Sequence, residues 1–460
     1  MTMIRQSAPA IFTPQCEGIH PIALIFDRYR EIRRAGSHPS NSRDSMVYTS
    51  NATGIRRIAV LGNHTPRQCG IATFTTDLAH AMLDELPELE CTVLAMNDAG
   101  KTYAYPTGVG FEIAEGDLSS YVRAREFVNA SDVQVLSIQH EYGIYGGEAG
   151  SHLLALLSGL HMPIVATLHT ILSEPDPAQR TVMDELIRLA ERLVVMSVRG
   201  AELLRTVHGA PSCKIDLVPH GVPNTPITFS TKHAVGVEGK RVLLTFGLLA
   251  PDKGIECVVE ALPAVLARFP DTVYIVLGVT HPHVKQQHGE GYRLSLERRA
   301  EELGVASSVI FHNRFVSQAE LADFIAAADI YITPYHKPEQ ITSGSLAYAV
   351  GSGKAAISTP YLYARELLSD GRGILVPWRD PAAIAREVIG LFSDPAGLLR
   401  MRERAAQYGS DMAWPAVARR YLSCFAQALT EHGARPCAVN PARTGSVGRS
   451  AERPGAGASV

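Results

Sequence analysis

The chain has 460 residues, 46% hydrophobic and 19% charged, and 43 basic against 46 acidic side chains give it a formal net charge of -3. That length is too great for one comfortable core, so two domains with tails are expected. The charge balance gives no basic face for nucleic acid or an anionic membrane, and no apolar run approaches the ~18 residues of a membrane span. The N-terminus lacks the apolar segment of a signal peptide. Seven scattered cysteines without a C-x-x-C pair fit reduced thiols in a cytoplasm better than a disulfide framework or a zinc site. A cytoplasmic protein is expected; its oligomeric state is not legible.

Residues 1–54 carry Pro, Ser, Asn and Arg around one short apolar run, Pro21 to Phe26, and are expected to be a poorly ordered leader, with Met46 as a candidate true initiator. Arg57 to Leu61 predicts a buried strand. The loop GNHTPRQCGIAT follows, then Phe74 to Leu86 at helical spacing, the first crossover of a doubly wound sheet. The loop is not G-x-G-x-x-G, but Gly70, Ile71 and Ala72 can bring backbone close to a ligand at the helix start; a tight turn would use the same glycine.

Further strands are expected at Cys91 to Met96, Val133 to Ile138, Pro163 to Leu168, Leu193 to Met196 and Ile215 to Val218, with helices such as Leu153 to Leu160 and Met183 to Leu193 between them. His140, Glu141, His169, Ser197 and His220 fall at or just after strand carboxyl ends, the edge where an α/β crevice opens. The first domain is placed at 55–223. The polar stretch Asn224 to Gly239 reads as a linker.

A second α/β domain, 240–412, is expected from strands at Val242 to Phe246, Val273 to Leu277, Val309 to His312, Ile330 to Thr333, Ala355 to Ser358 and Ile374 to Val376. Its helices include Ile255 to Ala267, Leu294 to Leu303 and Glu320 to Ala328. Within it, Thr342 and Ser343 stand where N-caps belong, and Ser345 to Gly351 is a small-residue helical segment before the strand at Ala355. A helix starting past a parallel strand's end points unpaired N–H groups and a positive dipole end into the crevice, a natural phosphate seat. A last amphipathic helix begins at Trp414, and residues 413–432 are expected to pack back on the first domain. A disordered tail is expected over 433–460.

From Arg56 to about Leu429 the chain resembles the retaining sugar-nucleotide-dependent glycosyltransferases of family 4. The landmarks are TPRQCGIATF, ATLHT at His169, VVMS at Ser197, LVPHGV (similar to "I-P-N-G-V"), FGLLAPDKGIE (similar to "G-R-L-x-x-x-K-G") and AYAVGSGKAAIST (similar to "E-A-M-A-x-G-x-P-V-I-A-T"), in the family's order. The resemblance implies the GT-B fold, two Rossmann-like doubly wound parallel-sheet domains facing across a cleft. It implies transfer of a hexosyl unit from a nucleotide-diphosphate sugar to a carbohydrate or other hydroxyl acceptor, with retention, no metal and no cofactor beyond the donor substrate.

By resemblance, Lys253 pairs with the donor diphosphate and His169 touches the donor sugar or the reacting face. Gly70, Ile71 and Ala72 shape the acceptor side and approach the phosphates, Thr342, Ser343 and Gly344 offer helix-start donors, and His140 is a further candidate. Two departures stand out. Leu248 replaces the partner Arg of the cationic clamp, a role for which Arg314 is a candidate. The family's E-x7-E falls on Gln340, with Glu339 beside it, and on Tyr348, so neither position of the pair is a carboxylate. Two other functions stay open: a glycoside phosphorylase on the same fold, and a non-catalytic sugar or nucleotide binder.

Overall fold

The computed structural model describes residues 54–224 and 231–434. The leader expected before Gly54 lies outside these residues, as does the tail beyond 434.

The first lobe opens with β1 (Arg57–Gly62), α1 (Gly70–Glu85), β2 (Glu90–Asn97), β3 (Val109–Ala114) and α2 (Leu118–Asn129). It continues with β4 (Val135–His140), α3 (His152–Leu157), β5 (Ile164–Leu168), α4 (Pro177–Leu189), β6 (Arg192–Val195), α5 (Val198–Thr206) and β7 (Ile215–Leu217). The seven strands pair in parallel in the order β3-β2-β1-β4-β5-β6-β7. Both β4 and β5 are buried at every residue, the pattern of strands covered on two faces. Helix starts follow local chemistry: Asp176 and Gln179 form a capping box ahead of α4, with Pro177 at its first position.

In the second lobe, α6 (Thr231–Ala234), β8 (Arg241–Phe246), α7 (Ile255–Arg268), β9 (Thr272–Leu277), α8 (Pro282–His288), α9 (Gly291–Glu302) and β10 (Val309–His312) come first. Then follow α10 (Gln318–Ala327), β11 (Ile330–Thr333), α11 (Gly344–Gly351), β12 (Ala355–Ser358), α12 (Leu362–Leu367) and β13 (Gly373–Leu375). The parallel order is β10-β9-β8-β11-β12-β13. The segment expected to link the domains contains α6 and buries Val237 in the second core.

After α13 (Pro381–Ser393) and α14 (Pro395–Gly409), the chain returns through a bridge between Ala413 and Val222 into α15 (Trp414–Gly433). Trp414, Val417, Tyr421 and Phe425 lie in one buried cluster with Phe74 and Leu78 of α1, and the Tyr421 hydroxyl meets Thr167 Oγ1 at 3.0 Å. The last helix is therefore part of the first lobe's core. Two sheets of one topology, each with its strand order reversing once, leave a crevice at the β1/β4 switch in one lobe and at β8/β11 in the other.

Candidate active site

The loops leaving those two switch points carry most of the candidate residues. After β8, residues Pro251–Lys253 form a single 3₁₀ turn, and Gly254 adopts φ 63° to start α7. The Lys253 ammonium lies 4.1 Å from the centroid of the Tyr335 ring, which comes from the loop after β11. Tyr335 stacks on Tyr361, and its hydroxyl is 2.9 Å from Ser345 Oγ in the first turn of α11. Ser343 is the N-cap of α11, accepting from the Leu346 N–H through its hydroxyl. One tyrosine thus joins the cation to the mouth of the helix.

Across the gap, His220 faces that mouth: a Cβ on Gly344 would lie 3.0 Å from its Nε2. His220 Nδ1 sits 2.7 Å from the Gly221 carbonyl, so in the neutral ring it donates and Nε2 carries the lone pair. Phe74 of α1 makes edge contacts with His220 and His169, both with centroids 5.0 Å apart. His169 Nε2 donates to Gln139 Oε1 at 2.9 Å, which leaves Nδ1 as an acceptor. Burial pushes His169 down to about 3 and His220 down to about 4, so both rings are neutral near pH 7.

At the start of α1, Cys69 is the N-cap, and its sulfur accepts from the Ala72 N–H at 3.2 Å. Gly70 and Ile71 stand at the mouth, while the Ala72 N–H is already engaged. In the second lobe, the Gln340 amide donates to the Thr342 carbonyl at 2.9 Å, Glu339 is exposed, and the Thr342 hydroxyl is buried without a partner.

Three further candidates are enclosed or already engaged within the protein. His140 is fully buried between Tyr142 and Tyr145 with both ring nitrogens unpartnered. The Arg314 guanidinium pairs with Glu320 at 2.6 Å, inside the capping box of Ser317 and Glu320 that starts α10. Tyr348 points across to the other lobe, where its hydroxyl donates to Asp77 of α1. Sequence reasoning missed Asp77, which carries no motif.

Glu256, Cys257 and His336 bring possible metal-ligand atoms within 4.8 Å of one another. Glu256 is already held by Tyr292 and His336, and the positive end of α7 with Lys253 beside it opposes a cation there. The cluster braces the Lys253 turn against the loop after β11.

Two facing parallel sheets with their ligand-binding edges opposed are the GT-B architecture of glycosyltransferases. Comparison with known proteins makes this specific. The family described as "Glycosyltransferase Family 4" matches residues 69–225, and "Glycosyl transferases group 1" matches 240–394. The D-inositol 3-phosphate glycosyltransferase of Thermobispora bispora is 28% identical over 299 residues, spanning 61% of this chain and 68% of that protein. The Kineococcus radiotolerans protein of the same name is 27% identical over 303 residues, 59% and 68% of the two chains. Among solved structures, sucrose-phosphate synthase from Thermosynechococcus elongatus superposes with a TM-score of 0.66 at 16% identity, covering 82% of this chain and all of that one. Anabaena HepE in complex with UDP gives 0.64 at 15% identity, over 80% of this chain and all of HepE. The chain belongs to the family 4, group 1 glycosyltransferases. Among the described residues no helix is long and apolar enough to cross a membrane.

Proposed function

We propose that this enzyme, acting in the cytoplasm, transfers a hexosyl unit from a nucleotide-diphosphate sugar to an acceptor hydroxyl, with retention at the anomeric carbon and without a metal. The observation that carries the reading is the path from Lys253 through Tyr335 to Ser345, which puts one ammonium and one helix N-terminus on the same gap. As the bond from the anomeric carbon to the phosphate oxygen breaks, negative charge grows on the leaving diphosphate. A fixed cation and oriented N–H groups of residues 343–345 meet that charge without reorganisation. The acceptor oxygen forms the new bond, and its proton passes to the departing phosphate. His169, neutral and with Nδ1 free to accept, is the residue to hold a donor-sugar hydroxyl.

The complexes of HepE with UDP and with UDP-glucose make UDP-glucose the first donor to test. The experiment is a thermal-shift panel of nucleoside diphosphates and nucleotide sugars, followed by turnover with the best binder. Proton NMR of the product reads its anomeric configuration, and EDTA treatment tests for a metal. Stabilisation by a nucleoside diphosphate, a retained configuration and a rate indifferent to EDTA are expected; an inverted product or a chelator-sensitive rate would remove those parts of the reading.

A second reading is favoured by Tyr348, which puts no carboxylate where a donor ribose would be held. A glycoside phosphorylase would set inorganic phosphate in the diphosphate's place, and phosphate-dependent cleavage of a disaccharide without any nucleotide would decide for it.

A further inference from the structure

The first lobe's side of the cleft is organised around carboxylates, and its nearby guanidinium is already committed. Arg67, in the loop after β1, is only 13% exposed and lies 2.6 Å from Asp98. It also donates to Asn63 Oδ1 at 2.6 Å and to the Met96 carbonyl at 3.2 Å. Asp98, just past β2, is met in addition by Lys101 and by the Tyr103 hydroxyl. Glu115 follows β3 and Glu141 follows β4, and neither makes an ion pair among the described residues. The Glu141 carboxylate accepts from the Thr170 hydroxyl beyond β5 and from the N–H groups of Tyr142 and Gly143. Burial raises the affinity of Glu115 and Glu141 for protons; Lys337, the second-lobe cation acting on Glu141, is itself shared with Asp252 at 3.6 Å. Wholly buried Gln139, two residues before Glu141, leaves its amide nitrogen unpartnered after holding His169.

An anionic group brought here would meet desolvated carboxylates and a guanidinium already shared among Asp98, Asn63 and the Met96 carbonyl, whereas hydroxyls would find acceptors in Glu141 and in the oxygen of Thr170, whose own O–H goes to Glu141. Resting on the transferase reading above, we infer that the acceptor is an uncharged polyol or sugar whose hydroxyls are held by Glu141 and Thr170, and that a phosphorylated acceptor is rejected. This sets the chain apart from relatives whose names carry inositol 3-phosphate.

The test uses the full chain with UDP present. Saturation-transfer NMR measures binding of myo-inositol, glucose and mannose, each against its monophosphate, and initial rates with UDP-glucose follow for every pair. Expected is binding of at least one neutral member about tenfold or more tighter than its phosphate, a difference worth roughly 1.4 kcal/mol. Glu141→Gln should weaken that neutral ligand about tenfold, while Glu141→Asp restores part of the loss. A phosphate ester that binds better than its neutral partner, no binding by any neutral member, or an unaffected Glu141→Gln variant overturns the inference. Neutral binding with no turnover of any donor would support it and count instead against the transferase reading.

Discussion

The Tyr348 hydroxyl donates to Asp77 Oδ2 at 3.0 Å, tying α11 of the second lobe to α1 of the first across 271 residues of sequence. Asp77 also accepts from Gln318 of α10, so one half-buried carboxylate gathers two elements of the opposite lobe. Burial holds the Asp77 carboxyl above its usual range. Tyr348, only 8% exposed, stands where the family has a ribose-binding Glu and instead closes the lobes on each other. Tyr348→Phe keeps the ring packing and removes the bond, leaving a half-buried acceptor short of one donor at a cost of about 1 kcal/mol. Faster amide exchange in α1 and α11 and a larger radius of gyration are expected. Identical exchange and scattering in the variant would show that the bond does not hold the lobes.

Lys253 is half-buried, and its described contact is the Tyr335 face, worth roughly 0.5–1 kcal/mol at an exposed site. Lys253→Ala should therefore leave the thermal midpoint nearly unchanged while lowering kcat tenfold or more, because the ammonium is asked to meet charge that grows only as the donor breaks. Equal kcat in variant and parent would reject the assignment.

Gly254 sets the direction of Lys253. Its φ of 63° lies in the left-handed region, and a Cβ there would overlap the Pro334 carbonyl oxygen and the His336 ring. Gly254→Ala must shift either the 3₁₀ turn or the loop after β11, at a cost of roughly 1–3 kcal/mol. A lower melting temperature together with a higher donor KM is expected. A variant with both unchanged would mean that the turn does not position the cation.

The switch-point loops were legible because strand ends, glycines and caps are local: Lys253 before Gly254 and Ser343 ahead of α11 can be read from a dozen residues each. Edge elements were not. In β3 the burial alternates along VGFEIA, and α2 carries four buried residues among charged ones, so neither presents an unbroken apolar run. The burial of His140 was not legible either, because position at a strand's end does not say which face the ring takes. Asp77 could not be found at all: its partners, Gln318 and Tyr348, reach it only through the meeting of two lobes.

Lys354 shows the same limit, since it fills a variable place in the motif and yet is fully buried. Its ammonium donates to the carbonyls of Ala326 at 2.7 Å and Ala328 at 3.0 Å, closing the end of α10, and burial holds its affinity for protons well below that of a free lysine. Lys354→Met matches the length but leaves those carbonyls unpaired, so a loss of about 2–4 kcal/mol is expected in urea unfolding. A change below about 0.5 kcal/mol, the ordinary surface range, would show that water replaces the ammonium.

Two buried histidines, His140 and His220, and the half-buried His169 make stability depend on pH in one direction. Burial lowers His140 to about 4, His169 to about 3 and His220 to about 4, against about 6.5 in an unfolded chain. Between about pH 6.5 and 4 the unfolded chain therefore takes up protons that the fold refuses, and stability falls on acidification by up to roughly 1.4 kcal/mol per pH unit for each ring. Above about pH 6.5 all three are neutral in both states and contribute no slope. The raised carboxyls of Asp77, Glu115 and Glu141 act in the opposite sense, because between their unfolded and folded values the fold holds protons that the unfolded chain releases. A single substitution isolates one ring: His140→Phe keeps an aromatic group between Tyr142 and Tyr145 and removes the titration. Unfolding free energies of parent and variant, measured from pH 7.5 to 5, should converge as the pH falls, the variant losing less. Parallel curves would mean that His140 takes up its proton in the fold over the same pH range as in the unfolded chain.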